Sequence, residues 1–352
     1  MPPVPDLFCH GFMIPRPSAC RDPETEGVRR EPVDGMIIRI IDLSQSIRTK
    51  GSPMAGSKRW FAAALSGFLC CSALFGSLAP NAAAAPFGKN PDGSVAPPGA
   101  NDWSCAPSAA HPEPVVLVHG TWDNQNAWDV LAPRLKAVGY CVFSLNYGRD
   151  ATSLFGSIPG QYATGDIRAS AREVGAFVER VRAATGAAKV ALVGHSQGAV
   201  VSRQYVRFDG GGDRVGHLIT LVGSNHGTSY QGLVNANRVD TPQSPEHMAA
   251  PLLGVAIVQQ LVGSEFLHQL NDDGETVPGI DYTAIASRLD DVSRPPEETF
   301  LHAGPGATVH NVMVQDLCPA DPYLHATLPN SPTVAYIVER ALDPSFEGNP
   351  CP

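Results

Sequence analysis

Charged side chains are scarce in this 352-residue sequence, where Lys, Arg, Asp and Glu together make up 17%, against about a quarter in an average globular chain. The balance is acidic, with 25 basic and 34 acidic residues and a formal net charge of -9. No run of like charge stands out. Affinity for nucleic acid or an anionic membrane surface rests on clustered Lys and Arg, so neither is expected as a partner. The sequence also lacks an H-E-x-x-H motif, cysteines paired at metal-ligand spacing and a Gly-rich phosphate loop closed by Lys, so no metal is expected. No internal repeat and no second domain are visible. Gly and Pro are abundant, at 34 and 32 residues, which announces many turns and long loops. With 43% hydrophobic residues, the chain can bury a substantial core.

The N-terminal quarter does not read as part of the fold. Residues 1–53 are polar, Pro-rich and aperiodic, and are expected to be a non-native or disordered extension, with Met54 the true start. Residues 54–84 carry a short basic stretch, the apolar run WFAAALSGFLCCSALFGSLA and small residues before Ala84. That order describes a secretory signal peptide. A membrane anchor is the rival reading of the same run, and the alanine-rich exit favours cleavage. Residues 85–102 read as an extended leader. Four of the eight cysteines lie beyond it: Cys105, Cys141, Cys318 and Cys351. An even count in an exported chain points to disulfides. Their clustering at the two ends of the domain favours Cys105–Cys141 and Cys318–Cys351.

From residue 114 onward, short apolar runs alternate with helical stretches. Strands are expected at 114–120, 140–148, 188–195, 214–224, 281–289 and 307–317. Helices are expected at 128–139, 165–186, 197–208 and 331–342. Strands that are apolar throughout and separated by helices indicate a mostly parallel sheet of about six strands with helices on both faces, an α/β fold.

Gly194-His195-Ser196-Gln197-Gly198 is a G-x-S-x-G sequence placed between the strand KVALVG and the helix GAVVSRQYV. That context marks a nucleophile elbow, a tight turn that lifts a serine hydroxyl above the sheet. A serine needs a histidine base, itself oriented by a carboxylate, and the expected chain order is Ser, acid, His. Asp290 follows a strand and leads into a turn, with Asp291 as the alternative. Of the later histidines, His310 falls inside a strand as a packed core residue, and His302 sits at that strand's wrong end. His325 lies past the strand and is the expected base. Backbone N–H donors for an oxyanion are expected at Gln197 and, in the loop VHGTW, at Thr121, whose hydroxyl adds a further candidate. No cofactor is required, because His325 can carry both proton transfers.

Together LVHGTW, NAWDVLAPRL, CVFSLNYG, GHSQGAVVSR, GSEFLHQLN, YTAIASRLDDVSRP and CPADPYLH resemble the secreted actinobacterial and bacterial lipases of the class 2 triacylglycerol lipase family. Their order is also similar to that of fungal lipase B. The resemblance spans roughly residues 103–351. It implies an α/β-hydrolase domain over 103–352, a Ser196, Asp290 and His325 triad, an oxyanion site at Thr121 and Gln197, and both disulfides. It further implies hydrolysis of lipid esters, triacylglycerols foremost, by a secreted enzyme, and no protein partner is implied. An acyltransferase using the same acyl-enzyme and a non-catalytic cell-envelope binding protein are the alternatives.

One insertion, around 229–263, departs from the alternating pattern. Within it PLLGVAIVQQLVG (251–263) is apolar on nearly every face, with Pro251 suited to a helix's first turn. A core helix and an acyl-binding cleft or movable cover are both compatible with it. LFGSIPG (154–160) and Trp122 are the other candidates for cleft walls.

Overall fold

A computed structural model of the chain describes residues 91–229 and 245–351. The expected N-terminal extension (1–53), the signal peptide (54–84), the first part of the leader (85–90) and residues 230–244 of the insertion lie outside the described residues. Six strands form one sheet: β1 (Val115–Val118), β2 (Val142–Leu145), β3 (Val190–His195), β4 (Val215–Leu221), β5 (Asp281–Ala286) and β6 (Thr308–Met313). Their order is β2-β1-β3-β4-β5-β6, and every neighbouring pair is parallel. The helices in chain order are α1 (Leu131–Ala137), α2 (Leu154–Ser157), α3 (Ile167–Thr185), α4 (Gln197–Phe208), α5 (Pro245–Leu253), α6 (Val255–Gln259), α7 (Glu265–Asn271), α8 (Val314–Leu317) and α9 (Pro332–Leu342).

The wholly apolar strands follow from burial on both faces, since successive side chains point to opposite sides. Val116 and Val118 of β1 join a core cluster with Ile167, Val174 and Val178 of α3 and Val200 and Val201 of α4. Val115 and Leu117 join the other, with Leu131 and Leu135 of α1 and Val334 and Val338 of α9. Each such side chain, when fully buried, contributes roughly 1.5–3 kcal/mol. Helix ends obey local chemistry. The Asp166 carboxylate caps α3 by accepting from the Ala169 N–H, and Gly186, at φ 71°, ends it. Ser331 caps α9 through the Val334 N–H, with Pro332 in the first turn.

Three expectations need correction. The helix read over 128–139 begins only at Leu131, after a 3-10 turn at Gln125–Trp128 capped by the Asn124 side chain. Pro133 has no N–H to donate, so the helix can begin no more than a few residues before it. The strand read over 307–317 ends at Met313 and continues as α8. As the edge strand it leaves His310 exposed rather than packed in the core. The single helix read over 251–263 is broken. Pro251 sits near the end of α5, not in a first turn, and Gly254, at φ 96°, separates α5 from α6. A Cβ at Gly254 would lie 2.4 Å from the Thr164 carbonyl oxygen, so the chain turns there to pass that backbone.

Two disulfides close the ends of the domain, Cys105–Cys141 and Cys318–Cys351, spanning 36 and 33 residues. In the chain-entropy account each stabilises by about 3–4 kcal/mol. No helix among the described residues is long and apolar enough to cross a membrane.

Candidate active site

Ser196 stands between β3 and α4 at φ 52°, ψ -118°, a backbone conformation that costs on the order of 1–3 kcal/mol and persists only where its surroundings enforce it. The flanking glycines explain how the turn closes. A Cβ on Gly194 would lie 2.6 Å from the Gly198 backbone, and one on Gly198 would lie 2.1 Å from the Val118 carbonyl oxygen. The Ser196 N–H donates to the Leu221 carbonyl at 2.9 Å, tying the turn to β4. Gly120 serves the same approach from the facing loop, since its Cβ would sit 3.1 Å from His195 Nδ1 and 3.2 Å from Ser196 Cβ.

Above this turn the structure brings together the three side chains singled out in the sequence. His325 Nε2 lies 2.9 Å from Ser196 Oγ, and His325 Nδ1 lies 2.9 Å from Asp290 Oδ1. All three residues are buried. Asp290 Oδ1 also accepts from the N–H groups of Val292 (2.8 Å) and Ser293 (2.9 Å), which fix the carboxylate in the turn after β5. Because a carboxylate only accepts, Nδ1 carries the hydrogen and Nε2 is left to receive one. Asp291, the alternative acid, accepts the backbone N–H of His325 at 3.2 Å instead. It holds the main chain of His325.

His195 adds a brace that the sequence did not reveal. Its Nε2 donates to the His325 carbonyl at 2.9 Å. Burial, then the nearby His325, push the His195 imidazole down to about 3, so it remains neutral and acts as a fixed donor. His119, stacked on Tyr147 at 4.5 Å, is likewise held neutral, with burial taking it down to about 4.

Thr121 and Gln197 also meet. Gln197 Nε2 donates to Thr121 Oγ1 at 2.9 Å and to the Ala163 carbonyl. Gln260 Nε2, from just past α6, donates to the same oxygen at 2.9 Å. Each amide is oriented by a backbone carbonyl, since Gln260 Nε2 also reaches the Ala256 carbonyl. With both acceptor lobes of Thr121 Oγ1 filled, its hydroxyl hydrogen is free to point elsewhere. Among the described residues, the backbone N–H groups of Thr121 and Gln197 take part in no backbone–backbone hydrogen bond of the loops and turns. Gln260 was missed because it lies inside an apolar run; the Gln259-Gln260 pair that interrupts the run was the available signal.

These groups open on a cleft of about 460 Å³ lined by Thr121, Trp122, Asp123, Ser196, Ile257 and His325, among others. The Trp122 Nε1–H donates to the Leu253 carbonyl at 2.8 Å, and its ring packs on Phe155 of α2 at 4.9 Å. The two stretches proposed from sequence as cleft walls therefore meet at Trp122. Burial pushes the Asp123 carboxyl up to about 6. A larger cleft, about 610 Å³, runs from His217, Asp281 and Thr308 along the β6 edge beneath α9. It begins at the amino ends of the strands, whereas Ser196 stands at a carboxyl end, where open α/β sheets place their ligands.

The comparisons agree with this architecture. Among solved structures, Aspergillus fumigatus lipase B is 18% identical over 72% of this chain and 57% of its own, with a TM-score of 0.54. The chain thus spans a little over half the length of that relative. A mature Bacillus licheniformis lipase is 17% identical over 67% of this chain and 94% of its own, at TM-score 0.48. An esterase from Exiguobacterium antarcticum is 19% identical over 56% and 82%, at TM-score 0.39. The first likeness, with the parallel six-stranded sheet, makes the fold that of the α/β-hydrolases. Residues 112–326 match the family Lipase (class 2) over more than half of the sequence, and the chain belongs to that family.

Proposed function

We propose that this protein is a secreted serine esterase that hydrolyses carboxylic esters of lipids, triacylglycerols foremost, through an acyl-Ser196 intermediate. The observation that carries the reading is the buried hydrogen-bonded line from Ser196 Oγ through His325 to Asp290, 2.9 Å at each link. In this reading His325 Nε2 takes the Ser196 proton as Oγ bonds to the ester carbonyl carbon. The carbonyl oxygen becomes an oxyanion held by the Thr121 and Gln197 N–H groups and the Thr121 hydroxyl. As the tetrahedral adduct collapses, the C–O bond to the alcohol breaks and His325 gives the alcohol its proton. Water then attacks acyl-Ser196 with His325 again as base, releasing the acid and restoring the serine.

A water-insoluble substrate is supported by exposed apolar side chains on the two elements that contact Trp122 of the cleft. Leu154 opens α2 and Ile158 follows it, and Met248 and Leu252 stand on α5, each at least 44% exposed. Both elements are anchored to Trp122. Exposed apolar groups gathered at a cleft mark a surface for another apolar phase. Secretion is supported by the two disulfides, which persist in oxidising compartments. It is further supported by the signal-like segment at 54–84, which mass spectrometry of the exported chain would show removed.

The test is hydrolysis of a chain-length series of esters, soluble and emulsified, beside Ser196→Ala. Turnover greatest on long emulsified esters, and at least about a thousandfold lower in the variant, is expected. Near wild-type turnover by Ser196→Ala would sink the acyl-enzyme. Activity confined to short soluble esters would sink the lipid assignment alone.

A further inference from the structure

Outside the cleft, three side chains from three separate loops converge on one carboxylate oxygen. His226 follows β4, Glu275 precedes β5 and His302 precedes β6. His226 Nε2 and His302 Nδ1 each lie 2.9 Å from Glu275 Oε1, and the ligand atoms of the three residues all fall within 4.8 Å of one another. Tetrahedral zinc, with nitrogen and oxygen ligands at roughly 2.0–2.2 Å, holds neighbouring donor atoms about 3.3 Å apart. The two nitrogen–oxygen spacings of 2.9 Å fall a few tenths of an ångström below that value, and the two ring nitrogens lie within 4.8 Å of each other.

The hydrogen bonds around the cluster orient it as metal sites are oriented. His226 Nδ1 lies 2.8 Å from the Glu298 carbonyl oxygen. A carbonyl only accepts, so Nδ1 carries a hydrogen, and whenever the ring is neutral Nε2 aims its lone pair at the Glu275 carboxylate. Two lone pairs facing across 2.9 Å call for a cation or an added proton between them. A backbone carbonyl behind an imidazole is also the usual outer partner of a metal-bound histidine. The second carboxylate oxygen, Glu275 Oε2, accepts the His302 N–H at 2.7 Å, which turns Oε1 toward both rings. The buried Arg203 guanidinium donates to the carbonyls of Asn225 and Glu275 and to Asn271 Oδ1. Its hydrogen bonds therefore go to loop backbone and two Asn side-chain amides, not to the Glu275 carboxylate.

We propose that His226, Glu275 and His302 form a zinc site apart from Ser196 that ties three loops together. Two imidazoles and one carboxylate suit zinc, whereas calcium and magnesium call for oxygen ligands throughout. The Glu275 and His226 side chains are 12% and 22% exposed and that of His302 is 83% exposed, so solvent supplies a fourth ligand from the open side. The ion pins the loop after β4 to the loops that enter β5 and β6. Ser224 and Thr228 of that first loop line the cleft beside Ser196, so the site braces one wall without touching the reacting atoms.

The test uses the full chain purified without a polyhistidine tag, stripped with EDTA and titrated with ZnCl₂. Calorimetry and metal content after desalting are expected to give one zinc per chain. Melting should rise by about 5–10 °C with zinc near a hundred times its dissociation constant. His302→Gln alters an exposed ring, and together with His226→Gln it should weaken zinc binding by about tenfold or more and abolish the melting shift. His310→Gln, an exposed histidine outside the cluster, should keep both. Retention of only a small fraction of an equivalent by the wild type would overturn the proposal. So would zinc binding left unchanged in His302→Gln and His226→Gln, because the metal would then sit elsewhere.

Discussion

A hydrogen bond from His195 helps fix where His325 stands. His195 Nε2 is the donor to the His325 carbonyl, and depressing its basicity to about 3 keeps that bond the same across the working pH range. Replacing it with Leu leaves a buried carbonyl without a donor and frees the base to drift. A displacement of about 1 Å can cost on the order of a hundredfold in rate. His195→Leu is therefore expected to lower kcat by roughly tenfold to a hundredfold with KM little changed, and His195→Gln, which can still donate, to recover part of the loss. Equal kcat in wild type and His195→Leu would remove the brace. Asp123 makes the opposite case, a carboxyl that burial holds protonated up to about pH 6. The unfolded chain releases that proton near 3.8. The stability this group contributes is therefore complete below 3.8 and lost as pH rises through 6. Asp123→Asn should melt at the same temperature as wild type at pH 3.5 and higher than wild type at pH 8. A melting difference independent of pH would show that Asp123 is not the titrating group.

At the scale of elements, legibility tracked how much of each boundary is set by neighbours in sequence. The passage from β3 to α4 could be read to the residue, because Gly194 and Gly198 leave no room for a Cβ and a strand must stop where such a turn begins. The end of β6 could not. Val312, Met313 and Val314 are apolar on both sides of the change from strand to helix, and only packing separates them. The same holds within the site. Ser196, Asp290 and His325 could be found as polar residues in loops at strand ends, and the structure joins them by hydrogen bonds. His195, Asp291 and Gln260 act through partners more than 30 residues away, and no local spacing carries that information. Gly254 shows what the misread stretch 251–263 does. Its positive φ and the adjacent Thr164 carbonyl set the angle at which α6 presents Ile257, with Gln260 just beyond, to the cleft. Gly254→Ala is expected to cost about 1–3 kcal/mol in urea unfolding. It should also raise KM for long-chain esters more than for short ones. An alanine variant as stable as wild type would mean that the turn is not forced.

Across the whole molecule, the cleft gathers segments near residues 121, 196, 257, 292 and 325, so its geometry depends on the domain's ends being held. The two disulfides are unequal in this respect. Cys105–Cys141 fastens the segment before β1 to the residue just before β2, outside the cleft. Cys318–Cys351 fastens the start of the loop that delivers His325 to the chain beyond α9. That loop is further held by Ser331 Oγ donating to Asp321 Oδ2 at 2.5 Å. Both bridges close loops of similar length and should contribute similarly to stability, about 3–4 kcal/mol each, or roughly 6–16 °C in melting temperature for a domain of this size. Their effects on activity should differ. Cys318→Ser with Cys351→Ser loosens the base and should lower kcat well below the melting transition. Cys105→Ser with Cys141→Ser should leave kcat at wild-type level until the protein unfolds. Parallel melting curves and ester kinetics on the two double variants test the distinction. Identical activity losses at 25 °C would mean that the His325 loop is positioned by Asp291, His195 and Asp321 without help from its disulfide.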